Sequence, residues 1–164
     1  MPDLMNHTNV VDIDLFATQK KKFRFNNDDS RIVELNTSDM NFVTRASEVY
    51  PRLKALQDKA MKMSDGVAPK DDATEEETMS QVNVMAERLK QVDTEMRECI
   101  DFLFDAPVSA AAAPDGSMYD PFNGMFRYEY IINALVTQYE NNLSKEFKAM
   151  EAKFKAHTNK YTKP

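Results

Sequence analysis

The chain has 164 residues and a mass of 18.8 kDa, with a net charge of -6 and a pI of 5.0. That size fits one compact domain, and that balance excludes a disordered chain and a general binder of phosphate backbones or anionic membranes. A single cysteine, Cys99, excludes an intramolecular disulfide framework and fits a reducing cytosol.

From the N-terminus, Met-Pro-Asp-Leu-Met-Asn-His lacks the basic and then apolar run of a secretory signal. Val11, Ile13 and Leu15 alternate with Asp12 and Asp14, the period of a half-buried strand. Phe23 and Phe25 alternate in the same way. Asn27-Asp28-Asp29-Ser30 is turn chemistry, and 31–35 reads as a return strand. These features predict a small antiparallel β-hairpin or sheet within 10–36, which must lean on helices to be stable.

Thr37-Ser38-Asp39 predicts a helix start, followed by apolar residues at Phe42, Val43, Ala46, Val49, Tyr50, Leu53 and Leu56. Pro51 either kinks that helix or opens a second one. Residues 64–73 read as a linker. Thr74-Glu75-Glu76-Glu77 is a capping box, and behind it Val82, Met85, Leu89, Val92, Met96, Cys99 and Leu103 step by three and four. A helix over 74–104 follows, with Cys99 a small buried hydrophobe in its seam.

Pro107 and Pro114 bracket four alanines, so 105–126 reads as a second linker, its aromatic part ordered by packing onto helices. Beyond it, Tyr128, Ile132, Leu135, Tyr139, Leu143, Phe147, Met150, Phe154, His157 and Tyr161 predict one helix of roughly 30 residues. A domain of this size cannot cover all of it, so part projects or meets another chain. The fold class is therefore mainly α, with long antiparallel helices in a bundle and a small N-terminal β-hairpin, all in a single domain over 1–164.

No enzyme chemistry is legible. His7, His157 and Cys99 are too few and too scattered for a zinc site or a nucleophilic pair, and glycine-rich phosphate loops are absent. No catalytic, cofactor or metal residues are expected. No stretch is long and apolar enough for a membrane span, and neither membrane nor nucleic acid is expected as a partner. Residues 58–105 carry about twice as many acids as bases, whereas 143–164 carry mostly lysine. Met occurs 11 times, either as core filler or as a surface that adapts to several partners. For a binding surface the choice falls on Tyr119, Phe122, Met125, Phe126 and Tyr128, although core packing is the competing use of the same rings.

Two stretches carry a resemblance. They are 23–29, leading through Leu35-Asn36-Thr37-Ser38-Asp39 to Tyr50-Pro51, and Asp115-Gly116-Ser117-Met118-Tyr119-Asp120-Pro121-Phe122-Asn123-Gly124-Met125-Phe126-Arg127-Tyr128-Glu129. Together they resemble small tail assembly chaperone-like proteins of tailed phages and prophages of Gram-positive bacteria. The resemblance implies a non-catalytic factor in the host bacterial cytoplasm that covers helices of the tape-measure protein. A homo-oligomer is compatible with it. The competing expectations are a structural tail or head-completion subunit, and an acidic anti-defence protein that inhibits a bacterial nuclease.

Overall fold

The computed structural model describes residues 9–15, 19–63 and 70–162, those beyond 156 by backbone alone. Strands β1 (Lys21–Arg24) and β2 (Ile32–Leu35) pair antiparallel, with Phe23 opposite Val33. Asn26 and Asn27 take the positive φ the turn requires, 53° and 56°. Asp28 Oδ1 accepts from the Ser30 N–H at 2.9 Å and its hydroxyl at 2.7 Å, which holds that carboxyl below the usual range. Val33 and Leu35 are buried against the helices, while Lys22 and Glu34 pair at 3.8 Å on the outer face.

The strand expected at Val10–Leu15 is a correction: 9–15 takes no strand geometry, and Val10, Val11, Ile13 and Leu15 are exposed. Period-two patterning makes a strand only where a neighbour supplies ladder hydrogen bonds, and among the described residues β1 pairs with β2 alone.

Helix α1 (Asn41–Met61) buries Phe42, Ala46, Val49, Leu53, Leu56 and Ala60. Its start lies slightly later than the sequence suggests. Thr37 is buried, and Asp39 Oδ1 takes the Asn41 N–H at 2.9 Å while Oδ2 pairs with Arg45 at 2.9 Å. Pro51 lies on the exposed side of one uninterrupted helix, so it opens no second one. Of the expected linker 64–73, residues 64–69 lie outside the described residues.

Helix α2 (Glu75–Phe104) begins at Thr74, whose hydroxyl accepts from the Glu77 N–H at 3.1 Å while the Glu77 carboxylate takes the Thr74 N–H at 3.2 Å. This is the capping box read from sequence. The segment expected to be a linker holds three short elements: α3 (Val108–Ala112), β3 (Pro121–Phe122) and β4 (Met125–Phe126). The alanines form a helical turn because their small faces fit against α2 and β2; Ala112 and Ala113 are buried. The last helix, α4 (Arg127–Thr162), runs 36 residues.

Aromatic rings fix how the helices cross. Phe42 stacks on Phe104 at 5.9 Å and on Tyr139 at 4.3 Å, while Lys59 reaches Glu95 at 3.9 Å near the other end of α1. α1 and α2 are thus antiparallel. Asn142 donates to Ser38 at 2.9 Å, and Tyr128 and Ile132 share a cleft with Tyr50 and Leu53, so α4 is antiparallel to α1 as well. The bundle with its small β-hairpin is the architecture the sequence predicts, and no described helix is long and apolar enough to cross a membrane.

Burial pushes the Tyr139 and Tyr128 phenols up to about 12 and Tyr119 higher still. An unfolded tyrosine ionises near ~10, so the unfolded chain loses its protons first as pH rises. Stability is therefore full below pH ~10 and declines through pH ~12, by on the order of 2 kcal/mol for each of Tyr128 and Tyr139. Urea melts between pH 8 and 12 check this, and Tyr139→Phe should shallow the decline.

Candidate binding surface

The aromatic segment before α4 is held by a clamp on α2. Asp93 and Arg97 lie one helical turn apart and pair at 2.9 Å, each only about a fifth to a quarter exposed. Arg97 Nη1 donates to the carbonyls of Ser109 at 3.2 Å and Ala113 at 2.9 Å, and Nη2 donates to that of Gly116 at 3.0 Å. Asp93 Oδ1 accepts from the Met118 N–H at 2.6 Å and the Ser117 hydroxyl at 3.3 Å. One more turn along α2, Asp101 takes the Ser109 N–H at 2.7 Å and its hydroxyl at 2.9 Å, fixing the start of α3. A planar guanidinium is suited to this work, because its donors fan out to several carbonyls at once.

A second pair finishes the loop. Arg127 bonds Asp120 at 3.1 Å and donates to the Asp115 carbonyl, while Asp120 Oδ2 takes the Ser117 N–H at 3.1 Å. Gly116 has a φ of 82°, and a Cβ there would run into Asp120 Oδ2. Asn123-Gly124, at φ 49° and 79°, turns β3 into β4. Asn-Gly is the strongest short-range hairpin signal, and the sequence reading passed over it. It missed the clamp too, although an Asp and an Arg four apart beside an apolar seam were there to find.

This geometry divides the five residues chosen as a binding surface. Tyr119 and Tyr128 belong to the core: their rings meet edge to face at 5.4 Å, and both are buried. Phe126 and Met125 are half-buried, Phe126 against Tyr119 at 5.5 Å and Tyr128 at 5.8 Å. Phe122 alone stands out, 68% exposed at the hairpin tip, with Tyr130 donating to its carbonyl at 2.9 Å. Two of the five are thus closed to a partner. The competing use of those rings, core packing, claims them because the clamp pulls the segment onto α2.

Larger apolar surface lies elsewhere. On α2 the seam is buried from Val92 onward, but Met79 and Val82 are 60% and 54% exposed, with Met85 exposed and Leu89 half-buried behind them. Met61 is exposed and Met63 half-buried at the end of α1, where Arg88 donates to the Met63 carbonyl at 3.4 Å. These residues make a methionine-rich face at one end of the bundle. At the opposite end α4 runs on past Tyr139, its last buried residue among those described, and Phe147, Met150 and Phe154 are exposed.

The cleft between the hairpin and α3–α4, about 470 Å³, is walled by Arg31 and Arg127. Arg31 donates to the carbonyls of Ala111 and Ala112, so both guanidiniums are engaged with the protein itself. Cys99 is fully buried and its thiol is pushed up by burial, the opposite of an activated nucleophile. The side chain of His157 lies outside the described residues, as does His7. Among the described residues, no group of three or more His, Cys, Asp or Glu could hold a metal ion. In comparisons with family models, curated proteins and solved structures, the chain matches none.

Arg97→Ala removes the ion pair and three carbonyl contacts, leaving Asp93 without its counter-charge. The expected loss is about 3 kcal/mol, read as a lower urea midpoint. Arg97→Lys should recover less than half of it, since an ammonium cannot reach those acceptors together.

Proposed function

We propose that this protein is a non-catalytic assembly factor that covers amphipathic helices of a larger partner, as a tail assembly chaperone of a tailed phage covers its tape-measure protein in the bacterial cytoplasm. The observation that carries the reading is the open methionine-rich face at the α1–α2 end. Met61, Met79, Val82 and Met85 lie exposed there, next to a seam that is fully packed about two turns later, from Val92. Methionine has a flexible, polarizable side chain, so such a face repacks around helices of different sequence. An amphipathic helix laid along α2 would extend the seam that α1 covers only from Val92 onward.

Magnitudes support a helper that lets go. Burying three or four such side chains is worth roughly 6 kcal/mol, and association costs at least ~4 kcal/mol. The surplus is small, so one site binds transiently. A subunit built permanently into a particle would need a larger and better-sealed interface.

The test is capture from induced or infected host cells, identified by mass spectrometry, with purified particles as a control. The tape-measure protein should co-purify with the wild type, and Met79→Glu with Val82→Glu should cut its recovery at least tenfold. Mature particles should lack the protein. Stoichiometric retention in particles would make it a structural subunit, and capture unaffected by the paired substitutions would sink the reading.

A further inference from the structure

We propose that the projecting half of α4 pairs antiparallel with the same segment of a second copy, giving a two-fold dimer held by Leu143, Phe147, Met150 and Phe154. The inference rests on reading uncovered apolar seams as docking surfaces, but it uses different residues and a different occupant from the methionine face.

From Ser144 to Ala156 every side chain of α4 is exposed, although four apolar residues there step by four, three and four. Phe147 is 51%, Met150 60% and Phe154 71% exposed, with Leu143 half-buried at the base. A helix whose apolar side chains are this exposed is marginal in water, whereas this spacing is the seam of a two-helix coiled coil.

The flanking charges select the second copy and its direction. In an antiparallel pair, layers form between Phe147 and Met150 of opposite copies, and between Phe154 and Leu143. That register sets Glu146 of each copy beside Lys153 of the other, twice by symmetry, and Ser144 beside Glu151. Glu151 is already paired with Lys155 of its own helix at 3.0 Å, while Glu146 and Lys153 make no ion pair among the described residues. A parallel pair would instead set Glu146 beside Glu151, a like-charge contact at both edges. The open face of α2 is a poorer match, because its seam is flanked by Met79, Gln81 and Ala86, which carry no charge, and by Arg88. The helix is thus self-complementary in one orientation only. Two heptads make a small interface, so association should be concentration-dependent.

The experiment is sedimentation of the full chain across micromolar to submillimolar concentrations. The wild type should pass from 18.8 kDa to twice that mass and stop there. Glu146→Lys and Lys153→Glu should each weaken the dimer roughly tenfold, and the double swap should restore it to within about threefold. Circular dichroism melts should match the wild type, since both positions lie outside the core. A monomer at every concentration, growth beyond the dimer, or strengthening by Glu146→Lys, as a parallel pair requires, overturns the proposal. The two readings separate cleanly. Met79→Glu with Val82→Glu should leave the dimer intact, and the Glu146→Lys monomer should still bind the captured partner, with lower avidity.

Discussion

The length of α1 limits what this protein can hide. At 21 residues α1 spans about 32 Å, whereas α2 and α4, of 30 and 36 residues, span about 45 Å and 54 Å. A seam is buried only where a neighbour lies across it. Because α1 runs against both longer helices, the uncovered part of α2 lies at one end of the bundle and that of α4 at the other. The packed rings of Phe42, Phe104 and Tyr139 mark the layer near which α4 starts to leave the body. Among the described residues beyond that layer, Phe147, Met150 and Phe154 face water, so the exposed part of the α4 seam lies at the helix end and not around the core.

The clamp on α2 is the second constraint, and it explains why the most distinctive run of sequence is mostly structural. The segment 105–126 buries Val108, Met118 and Tyr119 but contains only short elements of regular structure. It stays ordered because Arg97 gathers three carbonyls and Asp93 and Asp101 take the N–H groups that face them. Neutralising loop dipoles with one arginine and two carboxylates needs specific partners at fixed distances, so small departures in this run would be costly. Distinctive sequence here marks a demanding fold, and the surface it leaves for partners is little more than Phe122.

Much of the architecture is legible from sequence for identifiable reasons. α2 is marked by a capping box and a long apolar seam, both local features that tertiary packing has no reason to override. The β1–β2 turn is equally local, with Asn26 and Asn27 tolerating positive φ. Misreadings fall where the answer depends on what lies opposite. Val11, Ile13 and Leu15 have strand periodicity but no neighbouring strand. The alanines of α3 have no periodic signal, and form a turn because their small faces fit against α2 and β2 while Arg31 and Arg97 bond its carbonyls. Tyr119 and Tyr128 look like surface anchors until Asp93 draws Met118 inward. Exposure along a helix is likewise invisible in a repeating seam, since Met85 and Val92 occupy equivalent positions and only Val92 is buried.

The placement of the two open ends gives them separate uses. In the proposed dimer, helices paired through their α4 ends would put the methionine faces at the far ends of an elongated assembly. A compact ligand would meet one face at a time and gain nothing from the pairing. A long helical partner could engage both, and a second contact made by a molecule already held once is favoured by its effective concentration. Weak single sites then become adequate on an extended chain and remain weak on a short one. Length discrimination of this kind needs no sequence readout, only a fixed spacing between two adaptable faces, which a 36-residue α4 would provide in the proposed dimer.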